Sequence, residues 1–311
     1  MLNPIPVAYK AINITDYEGG SVPAKFDAFL FRSSDGFGQL ELRLKVNIKL
    51  RQIAQRSIPI QRDADDNIFW TSPWTAAGWN TFVQGAKAQA ELWNNRFWLI
   101  SPDTFGAYDL IKDTNINQIF HPNIRCQLQV DFDPDGDAHR TIHVANINLA
   151  MLVAQGMAQN PGTFRSHALL YDSMDAIPWA FPYGNGPNNP AIHYVIAHEI
   201  GHAIGLGHIG TLRRTSLCEL AITLNKMGAD SAPTFRGGRN GLVCYGFGQS
   251  IDISGNIMGA GDVFTADNAK SWLWAMMMMH NGFNNMVEAG KWRIVTTDPG
   301  PGKWIRVTWP A

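Results

Sequence analysis

The chain has 311 residues, enough for one large domain or two modest ones, and its 25 lysines and arginines nearly balance its 26 aspartates and glutamates. The resulting formal net charge of −1 argues against nucleic acid and anionic membranes as partners, because both require a basic surface. Hydrophobic residues make up 45% of the chain, which excludes disorder for most of it, and no apolar run approaches the roughly 18 residues that a membrane span needs.

The first half of the chain is predicted to hold strands around one helix. Apolar and polar side chains alternate over residues 40–50, which is the pattern of a long half-buried strand. Apolar residues three and four positions apart predict a helix over residues 74–93, and residues 97–100 are interpreted as a short strand. Alternation returns over residues 126–132 and 141–147, and an Asp-Gly pair between them predicts a hairpin.

The second half is predicted to hold three helices and one strand before the tail, with an irregular, Gly-rich stretch over residues 209–255. Residues 146–158 are interpreted as a short helix and residues 164–171 as a strand. A helix is expected to begin at Asn189-Pro190, because asparagine is a good N-cap and proline suits the first helical turn. Thr265 is predicted to cap a further helix that ends at about His280.

The segment His198-Glu-Ile-Gly-His202-Ala-Ile-Gly205-Leu-Gly-His208 has the clearest chemical meaning. Side chains four positions apart on a helix differ by only about 40° in direction, so His198 and His202 can hold one ion. Glycine adopts the left-handed conformation at little steric cost, so Gly205 lets the chain leave the helix and His208 return to the same ion. Three imidazole ligands leave a fourth position for water, as in catalytic zinc sites.

Glu199 follows His198 and is expected to lie beside the ion instead of binding it. A carboxylate in that place can take a proton from zinc-bound water, while zinc lowers the pKa of that water and polarises a substrate carbonyl. The alternative is that these histidines are ordinary core residues, but five residues of fixed type at fixed spacing argue against it. The segment therefore predicts peptide hydrolysis without a covalent intermediate.

The segment resembles the zinc signature of the metzincin metallopeptidases. Proteins of that superfamily also have a tight turn with a methionine beneath the metal, and Gly255-Asn-Ile-Met258-Gly259 matches this turn. The resemblance implies that Met258 and Gly205 support the site structurally; the alternative for Met258 is an ordinary core methionine. The sequences around His208 and Met258 are most similar to those of matrixins and their bacterial relatives.

The resemblance also implies a fold of the α/β (α+β) class. Its expected parts are a mixed five-stranded sheet, an active-site helix, a Met-turn and a C-terminal helix. The lower edge strand of such a sheet would bind the substrate by strand addition, and residues 164–171 are the candidate. Two features depart from the family: the insertion between His208 and Met258 is long, and Ile209 replaces the Ser, Glu or Asp typical of the named subfamilies. The subfamily therefore stays open.

Other candidate ligands and cysteines allow alternatives. Four aspartates offer oxygen ligands suited to Ca²⁺, although the glutamate that completes an EF-hand is missing and an ordinary turn is the alternative: Asp131, Asp133, Asp135 and Asp137. His139 and His143 could form a second zinc site. Cys126, Cys218 and Cys244 are too few for a disulfide scaffold, so either the last two form one bridge or all three are thiols.

Three parts are predicted along the chain. Residues 1–38 form an N-terminal segment packed on the catalytic domain, residues 39–285 form the metzincin-like catalytic domain, and residues 286–311 form a C-terminal β-hairpin extension. The strands of that hairpin are expected at residues 291–297 and 303–309, on either side of a Pro- and Gly-rich turn.

The predicted function is that of a monomeric zinc endopeptidase acting on extended polypeptides. The first 20 residues lack the basic and then apolar pattern of a secretory leader, so action outside the cell, including that of an exported effector or toxin, is expected from family habit alone. The alternative is a metzincin-like binding or assembly module with a structural zinc. An intact Glu199 argues against that alternative, since a structural site has no use for a general base.

Overall fold

The computed structural model describes part of the chain, in which we define 14 strands and three α-helices. The described residues are 5–14, 23–32, 40–55, 60–62, 67–69, 71–102, 104–110, 119–120, 123–147, 169–181, 191–207, 255–259, 261–280, 292–296 and 305–306. The protein is a mixed α/β structure with a mixed sheet, in agreement with the coarse class predicted from the sequence. None of the described helices is long and apolar enough to cross a membrane.

The elements are numbered in chain order. The strands are β1 (Ala8–Ile14), β2 (Ala24–Arg32), β3 (Leu40–Gln52), β4 (Ile60–Arg62), β5 (Asn67–Phe69), β6 (Phe97–Ile100), β7 (Ile119–Phe120), β8 (Ile124–Asp131), β9 (Arg140–Ala145), β10 (Leu170–Asp172), β11 (Trp179–Phe181), β12 (Ala191–His193), β13 (Arg293–Val295) and β14 (Ile305–Arg306). The helices are α1 (Ala76–Glu91), α2 (Val195–Ala203) and α3 (Lys270–His280), and a 3₁₀ turn, Ala266–Ala269, leads into α3.

The main sheet is built around β3. Its strands lie in the order β1, β2, β3, β8, β6 and β13, and β9 and β10 join it through a second pairing of β3. β3 pairs antiparallel with β2 and parallel with β8 and β9, so the sheet is mixed. The alternation that predicted this strand is confirmed, because every second residue from Leu40 to Ile48 is buried. The described sheet has eight strands where five were expected, since the N-terminal segment and the tail both contribute to it.

The predicted hairpin between β8 and β9 is wrong. Both strands run parallel to β3, with Asp131 opposite Asn47 and Arg140 opposite Ile48. The start of β9 lies beside the start of β2, because Arg140 donates to the carbonyl of Pro23, the residue before β2, at 3.2 Å. The segment between the two strands therefore carries the chain across β3 instead of folding back. An alternating pattern indicates a strand without indicating its partner, which is why the Asp-Gly turn was misread.

The helices cover the buried face of the sheet. The predicted helix over 74–93 is confirmed as α1, which begins after its N-cap Thr75 and packs against α2 and β8. Thr265 precedes the 3₁₀ turn as predicted, and the helix ends at His280. α3 packs against β1 and β3. Buried apolar side chains of these helices and of the central strands form one main core.

The predicted start of α2 was too early. Residues 191–193 form β12, which pairs antiparallel with β11, and the helix begins at Val195. The signals at Asn189-Pro190 lie outside the described residues, as do residues 148–158 of the predicted short helix and residues 164–168 of the predicted edge strand. The described part of that strand is β10, which pairs in parallel with β9.

The tail strands also differ from the expected hairpin. β13 pairs antiparallel with β6, and β14 pairs antiparallel with β7. Over the described residues, then, each tail strand has a partner from the middle of the chain instead of the other tail strand. Turn residues between two alternating segments favour pairing of those segments with each other. The edge strands of a sheet also offer unpaired backbone N–H and C=O groups, and a tail strand can pair with them instead.

Candidate metal centre

A candidate metal centre lies on α2, where the structure brings together His198, Glu199 and His202. One ligand atom from each of these residues lies within 4.8 Å of the others, and all three residues are buried. The two imidazole rings lie edge to face, with a centroid distance of 4.8 Å and an interplanar angle of 84°. The side-by-side arrangement of two histidines one helical turn apart agrees with the sequence prediction.

Two backbone carbonyls hold the imidazoles in one tautomer. Nδ1 of His198 lies 2.8 Å from the Ile257 carbonyl oxygen, and Nδ1 of His202 lies 2.7 Å from the Leu206 carbonyl oxygen. A carbonyl only accepts, so each Nδ1 carries the proton and donates it. The lone pair of each ring is therefore on Nε2, the atom that would bind a metal, and the second hydrogen bond orients the ring.

Burial keeps His202 in the form that binds a metal. It lowers the pKa of His202 to about 4, the positive charge of Arg140 acts in the same direction, and the hydrogen bond to the Leu206 carbonyl opposes both. His193 on β12 lies beside the centre, with its ring centroid 5.7 Å from that of His198, and burial lowers its pKa to about 4 as well. Near neutral pH the His202 ring is therefore uncharged, as an imidazole ligand must be, and the neighbouring His193 ring is uncharged as well.

The end of α2 positions the carbonyl that holds His202. Gly205 has φ +93°, the left-handed conformation predicted for it. The Leu206 N–H donates to the Gly201 carbonyl at 2.9 Å, and the Gly205 N–H donates to the His202 carbonyl at 3.1 Å. This is a Schellman motif, and it turns the Leu206 carbonyl back toward His202. His208 lies outside the described residues, so its role as the third ligand stays a prediction.

The turn at residues 255–259 closes the centre from the other side. Its Ile257 carbonyl accepts from His198, and its Met258 side chain is buried against α2. A Cβ on Gly201 would overlap the Met258 sulfur and approach Trp93 Cζ2 to 3.1 Å. The methionine therefore lies directly against the stretch of α2 between the two histidines.

A buried amide pair holds this turn in place. Asn256 and Asn268 exchange two hydrogen bonds of 3.0 Å, each from the Nδ2 of one residue to the Oδ1 of the other. Oδ1 of Asn256 also accepts from the Met258 N–H at 2.8 Å, and Oδ1 of Asn268 accepts from the Thr265 N–H at 2.8 Å. The turn is thus bonded to the 3₁₀ turn before α3. Neither asparagine stands out in the sequence, because no local pattern pairs residues 12 positions apart.

β9 and β10 bring Arg140 and Tyr171 close to Glu199. Burial raises the pKa of Tyr171 well above its usual value, and the negative charge of Glu199 raises it further, while Arg140 opposes the shift. Tyr171 and Arg140 are both buried. Sequence reasoning missed these two residues, whose strands reach the centre only through the sheet pairing of β9 and β10.

The other candidate ligands do not join a comparable cluster. Within the part of the chain that the structure describes, His198, Glu199 and His202 form the single group of three or more such residues with converging ligand atoms. The four aspartates at 131–137 and the pair His139 and His143 are not part of such a group. Cys126 is a free buried thiol, and burial raises its pKa well above the usual value. Cys218 and Cys244 lie outside the described residues.

Comparison of the chain with protein-family models, with curated proteins and with solved structures gave no match.

Proposed function

We propose that the protein is a zinc-dependent endopeptidase of the metzincin type. The observation that supports this most directly is the pair of α2 histidines whose Nδ1 atoms are held by carbonyls, so that Nε2 of each would be the atom that binds a metal beside Glu199. Further support comes from the left-handed Gly205 and from the contact between Met258 and Gly201. The finer features of the metzincin fold are part of the same proposal.

The donor set fits zinc. Neutral imidazole nitrogen is a common zinc ligand, and the carbonyl partner on the second ring nitrogen is the usual way such ligands are oriented. His198 and His202 would bind the ion, with His208 as the proposed third ligand. Zinc bound there would act as a Lewis acid toward the scissile carbonyl and would lower the pKa of water.

Glu199 would perform the proton transfers of the reaction. Its carboxylate would accept a proton from the attacking water and then give it to the nitrogen of the leaving amine. The buried surroundings of Glu199 strengthen its electrostatic interaction with a charge developing nearby. The substrate would be an extended polypeptide, and β10 with the preceding residues would be the edge along which it binds.

Metal analysis and peptide cleavage test the proposal together. We expect close to one zinc per chain and cleavage of unfolded protein or of a peptide library that stops when a chelator is added. Glu199→Gln should keep the zinc and lose turnover by about 10²- to 10⁴-fold, the usual contribution of a general base. Glu91→Gln, at the exposed end of α1, is the matched control and should cleave as the wild type does.

The outcomes separate the proposal from its alternative. Stoichiometric zinc with unchanged turnover in Glu199→Gln would show that the mechanism is misassigned. Zinc without any cleavage by the wild type, on unfolded protein and in a treated cell lysate, would favour the binding or assembly module. An exported effector or toxin with one target would instead ignore casein and produce a single set of new N-termini in that lysate.

A further inference from the structure

The start of α2 depends on a side chain from another helix. The first N–H groups of a helix have no partner within it, and a side chain at the N-cap usually accepts from the second or third residue. The N-cap residue of α2 is Tyr194, whose side chain makes no capping hydrogen bond. The N–H groups of Ile196 and Ala197, the second and third residues of α2, therefore need another acceptor.

Gln89 on α1 supplies that acceptor. Its Oε1 accepts from the Ile196 N–H at 2.9 Å and from the Ala197 N–H at 3.3 Å. Its Nε2 donates to the Asp175 carbonyl at 2.7 Å, just after β10. Gln89 is 2% exposed, so these bonds lie away from solvent. One buried amide thus connects α1, the start of α2 and the segment after β10.

A side chain just after α1 holds the same point of α2. Nε1 of Trp93, two residues beyond the end of α1, donates to the Ala197 carbonyl at 3.0 Å. The N–H of Ala197 is therefore held from α1 and its C=O from the residues that follow α1, and the next residue is His198. The segment after β10 is also pressed against α1, since a Cβ on Gly85 would come within 2.6 Å of the Ala176 carbonyl oxygen.

We propose that Gln89 is a positioning residue of the metal centre: it caps α2 from α1 and so sets the direction in which His198 presents its Nε2. The inference rests on the proposed metal-binding function. Because the same amide holds Asp175, it also sets the distance between α2 and β10, where the substrate is proposed to bind. A purely structural Gln89 would stabilise the fold without affecting the geometry of a bound metal.

Hydrogen exchange on the wild-type protein tests the cap without a variant. We expect the amides of Ile196 and Ala197 to exchange more slowly than that of Gly78, a first-turn amide of α1 whose cap, the Thr75 hydroxyl at 3.0 Å, is exposed. Exchange of both α2 amides as fast as that of Gly78 would overturn the proposal, because the buried bonds to Gln89 would then be absent in solution.

Co²⁺ binding to Gln89→Met tests the positioning role. Methionine has a similar length and no amide, so packing is kept while the three hydrogen bonds are lost. We expect the visible absorption of Co²⁺ at the centre to change and its affinity to fall about tenfold or more, as for other residues that orient metal ligands. In cleavage assays both kcat and KM should change, because the hydrogen bonds that hold the start of α2 and the segment after β10 are both lost.

Asn123→Leu is the matched control. Asn123 is also a buried amide that accepts from backbone, but from Ser101 at 2.6 Å, and it touches β6 and β3 instead of α2. Both variants should lower the melting temperature, and only Gln89→Met should change the Co²⁺ spectrum. Equal destabilisation with wild-type spectra and affinities in both would overturn the proposal. If the wild type itself bound no Co²⁺, the proposed function would fail, while the exchange experiment would still report on the cap.

Discussion

The sulfur of Met258 lies against the backbone of Gly201, in the space that a side chain on that residue would occupy. Gly201 separates the two helical positions that hold His198 and His202, and Trp93 borders the same space. α2 and the turn at 255–259 can come this close because the helix has no side chain at their point of contact. The short distance in turn allows the Ile257 carbonyl to reach Nδ1 of His198.

Gly201→Ala is expected to destabilise the protein. Alanine is the better helix former by about 1 kcal/mol, so an unhindered helical position would gain stability. Here the added methyl group overlaps the buried sulfur, and overpacking of this kind typically costs about 1–3 kcal/mol. The free energy of unfolding of the metal-free protein, measured in urea, should therefore fall, and zinc affinity should fall with it because Ile257 is displaced.

Gly136→Ala provides the control for this change. A Cβ at Gly136 would meet no atom within 4 Å, so the substitution should leave zinc affinity unchanged. If Gly201→Ala proved as stable as the wild type, the close contact with Met258 would not exist in solution.

Asn256→Ala is expected to weaken the turn beneath the metal centre. The change removes the partner of the Asn268 amide and the acceptor of the Met258 N–H in a buried place. Buried polar groups left without partners cost about 1–3 kcal/mol each, so the free energy of unfolding should drop by at least that amount. Asn146→Ala removes a single hydrogen bond to the Pro73 carbonyl. It should lower the free energy of unfolding by about 0.5–1.5 kcal/mol, the net value of one hydrogen bond. Equal effects of the two substitutions would contradict the role of the asparagine pair.

The features that sequence predicted well are properties of one continuous segment. β3 was predicted from alternating apolar residues, and α1 from apolar residues three and four positions apart. In both cases the period of the apolar residues indicates which face of the segment is buried. The pairing of His198 with His202 followed from helical geometry, and the turn at Gly205 from the backbone freedom of glycine. None of these predictions required knowledge of another part of the chain.

The features that sequence reasoning missed join distant segments. Strand partners depend on which edges meet in the folded protein, so β8 and β9 were wrongly paired with each other. The start of α2 was placed too early because local capping signals outweighed a pairing of β12 with β11 that no local pattern reveals. Gln89 is likewise an ordinary helical residue until α2 lies beside it, 107 positions along the chain.

The third proposed ligand can be tested although it lies outside the described residues. A ligand that binds the folded state alone stabilises it by RT ln(1 + [L]/Kd), which is about 2.7 kcal/mol at 100 times Kd. If His208→Ala weakens zinc binding 100-fold, the same zinc concentration should add only about 0.4 kcal/mol by that relation. Unfolding in urea with and without zinc measures the difference. His143→Ala, at an exposed position on β9, should keep the wild-type gain, and the same gain in His208→Ala would exclude it as a ligand.

Stability should fall in mild acid, and His139, which precedes β9, contributes to this fall alongside the buried His193 and His202. Nδ1 of His139 accepts from the Asn47 N–H at 2.9 Å, and Nε2 lies 3.4 Å from Asp27 Oδ2. Burial lowers the pKa of His139; Asp27 opposes this, while Lys45 and Lys25 add to it. A protonated ring could no longer accept from Asn47. The unfolded chain therefore binds this proton more readily than the folded protein does.

The sign of the pH effect follows from that difference. When the unfolded state binds more protons, the free energy of unfolding rises with pH, so the contribution of His139 is complete above the unfolded pKa of about 6.5 and is lost as pH falls through the lower folded pKa. Urea unfolding of the metal-free protein at pH 7.5 and at pH 5.5 should show this loss. His139→Gln, which cannot titrate, should lose less stability than the wild type between the two pH values. Equal losses would mean that the bond from Asn47 does not hold His139 in its neutral form.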